Sequence, residues 1–253
     1  SPLTFVATAA CAVRLGASID FVDIDPDTLN LCPKLLEKKL KIAKKSSWVN
    51  YSFFIGACKE NLSELPKLEK LPGCAGIKIF MGSSTGTLLV SEEKDLEKAL
   101  KGCKRRVALH SEDETRLKKR FLEINRKKGV SQHEVWRDKE SAILSTKRIL
   151  KYAKKYNTKA HILHISTKDE IDLLKNTKNN ITAEVTPQHL TLYSPNCYKL
   201  LGAKAQMNPP IRNNKHRNGL WKGIYNNTVS VIGSDHAPHT IKEKKLKWPN
   251  SPS

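Results

Sequence analysis

Val229-Ser230-Val231-Ile232-Gly233-Ser234-Asp235-His236-Ala237-Pro238-His239-Thr240 decides the reading of this chain. Val229 to Ile232 predict a short buried strand, and the Gly-Ser pair ends it. One carboxylate and two imidazoles follow at once, Asp235, His236 and His239. A strand buried on both faces has no structural use for such groups at its C-terminal tip. A (β/α) barrel does, because its catalytic groups come from the C-terminal ends of different strands. The bland alternative is a polar turn capping the next segment, but this density of titratable groups is uncommon in a turn.

Working outward, the same alternation recurs upstream. Strands are predicted at Ser18–Ile24, Tyr51–Gly56, Gly76–Gly82, Arg106–Leu109, His161–Ser166 and Ile181–Val185, before the opening strand at Val229–Gly233. Helices are predicted at Thr4–Leu15, Leu35–Ala43, Glu92–Leu100, Glu140–Tyr156, Lys168–Leu174 and His216–Tyr225, with a short helix or turn at Asn61–Leu71. Alternating β and α segments imply a parallel sheet, and about seven strands fall one short of a (β/α)8 barrel. No internal repeat, low-complexity run or linker interrupts residues 1–253, which read as one domain.

At 253 residues, 39% hydrophobic and 6% aromatic, the chain has the composition of a polar globular protein. It contains no run of eighteen apolar residues, so no membrane-spanning segment is expected. Leu3 to Val13 lacks a basic leader and reads as helix rather than signal peptide. The six cysteines are scattered without a C-x-x-C pair, which points to a reducing cytoplasm. A formal net charge of +20 raises nucleic acid as a partner. The lysines, however, are spread over many helices without interleaved aromatics, so they read as solvated faces.

Polar residues recur near strand ends: Lys78, His110, His164, His189 and Asp235. Each alone has an ordinary explanation, since a lone strand histidine is more often a satisfied core residue. A buried lysine is more anomalous, because an unpaired interior ammonium costs several kcal/mol. Together they point to a metal site at a barrel mouth.

Gly233-Ser234-Asp235-His236-Ala237-Pro238-His239-Thr240 resembles the signature of class I dihydroorotases, of the amidohydrolase superfamily. Further resemblances follow in family order: Gly76-Ile77-Lys78-Ile79-Phe80-Met81-Gly82, His110-Ser111-Glu112-Asp113-Glu114, His161-Ile162-Leu163-His164-Ile165-Ser166, Thr186-Pro187-Gln188-His189 and Met207-Asn208-Pro209-Pro210-Ile211-Arg212. The resemblance implies a zinc enzyme that interconverts L-dihydroorotate and N-carbamoyl-L-aspartate in pyrimidine biosynthesis. It implies Lys78, carboxylated by carbon dioxide, as the metal-bridging group, with His110, His164 and Asp235 as further ligands. Asp235 doubles as general base and acid, Asn208 contacts the substrate ring, and His239 contacts the substrate carboxylate.

The departures are equally informative. The family's first strand carries His-x-His and an arginine, but this chain has no histidine before His110. Its Asp25-Pro26-Asp27 stands where the family has Asn, and an acid there would repel a carboxylate substrate. The expected fold is therefore an incomplete barrel truncated at both ends, lacking the first strand, the last helix and the small β-domain. One zinc position would keep Lys78, His110 and His164, while a second would keep only Lys78 and Asp235. The expectation is weak or absent turnover, with a homo-oligomer or partner chain filling the open edge. A scaffold homologue without catalysis, binding other pyrimidine-pathway enzymes, is the alternative.

Overall fold

The computed structural model describes residues 33–84, 88–177, 180–237 and 239–252. The predicted helix Thr4–Leu15 and strand Ser18–Ile24 lie outside them.

Six parallel strands form one sheet in strictly sequential order. They are β1 (Phe53–Gly56), β2 (Cys74–Phe80), β3 (Arg106–His110), β4 (Ala160–Ile162), β5 (Ile181–Val185) and β6 (Val231–Ile232). The main helices are α1 (Pro33–Ser46), α2 (Leu65–Leu68), α3 (Glu93–Gly102), α4 (Glu114–Glu123), α5 (His133–Trp136) and α6 (Lys139–Tyr156). They continue as α7 (Lys168–Leu174), α8 (Pro187–Thr191), α9 (Asn196–Leu201), α10 (Asn214–Tyr225) and α11 (Ile241–Lys244).

The period of two within each strand separates two environments. Ile77, Ile79, Val107, Leu109, Ile162, Ala183 and Val185 are fully buried and pack against helix residues such as Leu96, Leu100, Ile149 and Ile171. Each such Leu or Ile contributes about 1.5–3 kcal/mol of burial. The alternate residues carry the polar groups, and the register aligns them. Lys78 pairs with Ala108, Ala108 with His161, and His161 with Thr182, while Phe80 pairs with His110. The inner face of the sheet is thus a chemical surface and the outer face a core.

Local signals end the helices where the sequence supplies them. Asp138 caps α6 by accepting from the Ser141 amide, and Asn157 closes that helix in the left-handed conformation. Thr167 and Glu170 make a reciprocal capping box on α7.

Two predicted strands are shorter than the sequence suggested. The strand expected over His161–Ser166 ends at Ile162, because His164 adopts a positive φ of 39° that no strand continues. The strand expected over Val229–Gly233 is reduced to Val231–Ile232. Nor is it buried: Val231 and Ile232 are 43% and 57% exposed, since β6 pairs only with β5 among the described residues. No described helix is long and apolar enough to cross a membrane. Cys58, Cys74, Cys103 and Cys197 are buried.

Candidate metal and catalytic site

The site is assembled from the C-terminal side of the sheet. His110 is the last residue of β3, and its ring is 1% exposed. His164 follows the end of β4 and is 2% exposed. Its positive φ turns the chain back so that its ring meets His110 edge-on, with centroids 4.7 Å apart. His110 Nδ1 and His164 Nε2 face each other at 3.0 Å. The remaining nitrogen of His164, Nδ1, is buried without a hydrogen-bond partner.

Asp235, just beyond β6, also has a positive φ, 43°. Among the described residues four non-glycine positions are left-handed, and two of them are His164 and Asp235. Backbone conformations of this kind concentrate where a side chain must be aimed. Glu184 on β5 packs against the same turn: a Cβ on Gly233 would lie 2.3 Å from its carboxyl, so a larger residue there would make that carboxylate shift.

The charges are mutually dependent. Burial pushes the half-buried Lys78 down to about 8, opposed by the Asp235 and Glu184 carboxylates. Burial pushes Asp235 up to about 6, with Glu184 adding and Lys78 opposing. Lys78 Nζ also rests 4.5 Å from the Phe80 ring centre. Desolvation lowers His110 and places His164 well below the ordinary histidine range. Both imidazoles are therefore neutral near pH 7, the state that a metal ligand requires.

Two zinc–imidazole bonds at tetrahedral angles would hold the nitrogens about 3.3 Å apart. The observed 3.0 Å separation of His110 Nδ1 and His164 Nε2 fits such a pair after a small shift. Among the described residues, no three His, Cys, Asp or Glu side chains converge on one point. A third ligand would have to be of another type, and Lys78 is the charged neighbour of both rings.

The other residues singled out in the sequence fall elsewhere. His189 lies inside α8 with both nitrogens engaged, Nδ1 with Thr186 Oγ1 at 2.8 Å and Nε2 with the Pro209 carbonyl at 3.1 Å. It is a structural tie between two loops rather than a free strand-end ligand. Asn208 Oδ1 lies 3.1 Å from His133 Nε2, and its amide nitrogen 3.5 Å from Ser84 Oγ. His239 Nδ1 lies 3.9 Å from Glu243, and its Nε2 is buried without a partner.

Sequence reasoning missed three residues. Glu112 and Arg137 form a buried ion pair behind His110, with side chains 0% and 1% exposed. Burial alone would raise the Glu112 pKa, but Arg137 and His110 outweigh it and hold the carboxyl at about 2. Glu184 could have been found by strand parity, since Thr182 and Glu184 alternate with the apolar Ile181, Ala183 and Val185. No pattern marked Arg137.

Several known proteins are similar to this chain in sequence or in fold. The dihydroorotase of Methanosarcina mazei is 33% identical over 255 residues, covering 94% of this chain and 54% of that protein. The dihydroorotase of Fusobacterium nucleatum is 30% identical over 224 residues, covering 83% of this chain and 49% of that protein. In fold, the chain is similar to the L-hydantoinase (dihydropyrimidinase) of Arthrobacter aurescens, with a TM-score of 0.76 at 20% identity. That similarity covers 89% of this chain and 50% of the hydantoinase. Residues 1–80 also match the DegT/DnrJ/EryC1/StrS aminotransferase family. That match takes in β1 and β2, which pair with each other inside the parallel sheet. It covers less than a third of the chain, against 94% for the M. mazei dihydroorotase. The chain is a relative of the dihydroorotases of the amidohydrolase superfamily, and it spans about half the length of the curated relatives it matches.

Proposed function

We propose that the chain carries a single zinc position of dihydroorotase type, held by His110, His164 and a carboxylated Lys78. The substrate would be the cyclic amide of L-dihydroorotate, interconverted with N-carbamoyl-L-aspartate. The observation that carries this reading is the pair of neutral imidazole nitrogens 3.0 Å apart, with Lys78 as their charged neighbour. Zinc, when bound, lowers the pKa of water and polarises a carbonyl. Asp235 serves as general base and acid: a carboxyl at about 6 exchanges protons readily near neutrality. Asn208 presents its amide to the substrate ring, oriented by His133, and His239 receives the substrate carboxylate.

Turnover by this chain alone is proposed to be weak or absent. With no histidine before His110, a second metal would rest on Lys78 and Asp235 only. Losing one metal's share of carbonyl polarisation costs several kcal/mol, which is orders of magnitude in rate. The test is interconversion of dihydroorotate and carbamoyl aspartate by the purified chain with zinc and bicarbonate, beside a chelator control and Asp235→Ala. Trace or no turnover by a folded, zinc-binding protein is expected. Vigorous chelator-sensitive turnover would refute the impairment, and absence of zinc binding would refute the site.

A second reading, a non-catalytic subunit that binds another pyrimidine-pathway enzyme, is favoured by exposed apolar and aromatic side chains on β6 and on α10. Val231 and Ile232 on β6 are exposed, and on α10 Trp221 and Tyr225 stack 6.2 Å apart, 38% and 76% exposed. Stable association of the purified chain with an aspartate carbamoyltransferase would support it.

A further inference from the structure

His110 stands at the end of a buried hydrogen-bonded chain that runs through Glu112 to Arg137. Arg137 Nε lies 3.2 Å from Glu112 Oε1 and 3.1 Å from Oε2, and Arg137 Nη2 donates to both Glu112 Oε2 and the Ser83 carbonyl, the latter at 2.7 Å. Glu112 Oε2 lies 2.9 Å from His110 Nε2. On the opposite side of that ring, His110 Nδ1 meets His164 Nε2 at 3.0 Å.

The proton positions follow from what each group can do. An ionised carboxylate only accepts, so the ring nitrogen facing Glu112 must carry the proton. His110 then presents a lone pair at Nδ1, on the side of His164. A buried ion pair contributes little to stability compared with apolar residues of the same size. The position of this one is better explained by what it holds.

We propose that Glu112, locked by Arg137, is a positioning residue that fixes His110 in the Nε2–H tautomer and aims its Nδ1 lone pair at the point shared with His164. The inference rests on the zinc reading above for its function, but the tautomer itself is a property of the metal-free chain. The competing role is purely structural: Arg137 tethers the Ser83 carbonyl, and removing the pair would loosen that loop while leaving His110 as it was.

The experiment uses the full chain, metal-free and labelled with ¹⁵N-histidine, and reads the His110 tautomer from two-bond proton–nitrogen correlations. Zinc affinity is measured alongside by competition with a chromogenic chelator. The wild-type chain should carry the proton on His110 Nε2. The double variant Glu112→Leu with Arg137→Met removes both charges together, so that neither is left buried alone. Checked by circular dichroism to be folded, it should populate both tautomers and lose about 10- to 100-fold in zinc affinity. A wild-type proton on Nδ1 would overturn the proposal whether or not the variant folds. So would a folded variant with unchanged tautomer and zinc affinity. Wild-type protein with the proton on Nε2 but no zinc binding would uphold the positioning of His110 and remove the metal reading instead.

Discussion

Lowering the pH from 7.5 to 5.0 should destabilise this protein by several kcal/mol, and the structure says which groups are responsible. His133 is held at about 3, and His189 and His216 at about 4, in each case chiefly by burial. In the unfolded chain these imidazoles titrate near pH 6.5. Below that value the unfolded state binds more protons than the folded one, so stability falls as the pH drops toward the folded pKa values. At pH 5 each histidine accounts for about 2 kcal/mol, or about 6 kcal/mol together. Asp235 works the other way. Its carboxyl, raised to about 6, takes up a proton in the folded state first and returns about 1 kcal/mol over the same interval. The net loss is about 5 kcal/mol, comparable with the whole stability of a marginal domain. Additional positive charge on a chain already at +20 acts in the same direction. Urea unfolding at constant ionic strength should show the midpoint falling by about 2 M between pH 7.5 and 5.0. His133→Gln should remove about a third of that dependence. A midpoint that is unchanged or higher at pH 5.0 would refute the burial of these rings as neutral groups.

Other consequences are more local. Gly233→Ala should cost no more than about 1 kcal/mol, read as a small drop in thermal midpoint, because the Glu184 carboxyl 2.3 Å from the added Cβ ends a flexible side chain that can turn aside. Leu109→Ala, in the fully buried outer face of β3, should lose about 2–5 kcal/mol, whereas Leu122→Ala, at 83% exposure, should stay within about 0.5 kcal/mol of wild type in the same urea assay. Val231→Lys should leave stability nearly unchanged while reducing any concentration-dependent self-association seen by sedimentation, since a charged edge resists strand pairing.

Much of this architecture was legible because period and punctuation agree. The helix expected over Lys168–Leu174 has those bounds in the structure, where Thr167 and Glu170 cap its start reciprocally. The strands from Tyr51 to Val185 were located by β-branched runs between turns, although β4 stopped short where His164 leaves the extended region. Hydrophobicity alone cannot reveal a left-handed residue. The exposure of β6 was illegible for a different reason: an apolar strand looks the same in sequence whether it has one neighbour or two. Helices α4, α8 and α9 went unread because α4 is dominated by charge and the other two span a single turn or little more. Within the site, Lys78, His110, His164 and Asp235 were each marked by a polar residue interrupting or ending an apolar run. Arg137 was not, because its partner Glu112 is 25 residues away and only the fold brings the two together.

The sequential strand order has a consequence for how the sheet opens. Each strand is bonded to the strands immediately before and after it in the chain, so opening can begin at an end without breaking the middle. Among the described residues strand β6 offers two residues paired to a single neighbour, both exposed, whereas β2 and β3 share a five-residue ladder at full burial of their outer faces. Amide exchange should therefore form a gradient across the sheet, fastest at β6 and slowest at β2 and β3. Asp235 hangs from the fast end, while His110 is fixed at the slow one. The proton-exchanging group would thus ride on the part of the sheet that breathes, and the imidazole pair on the part that does not.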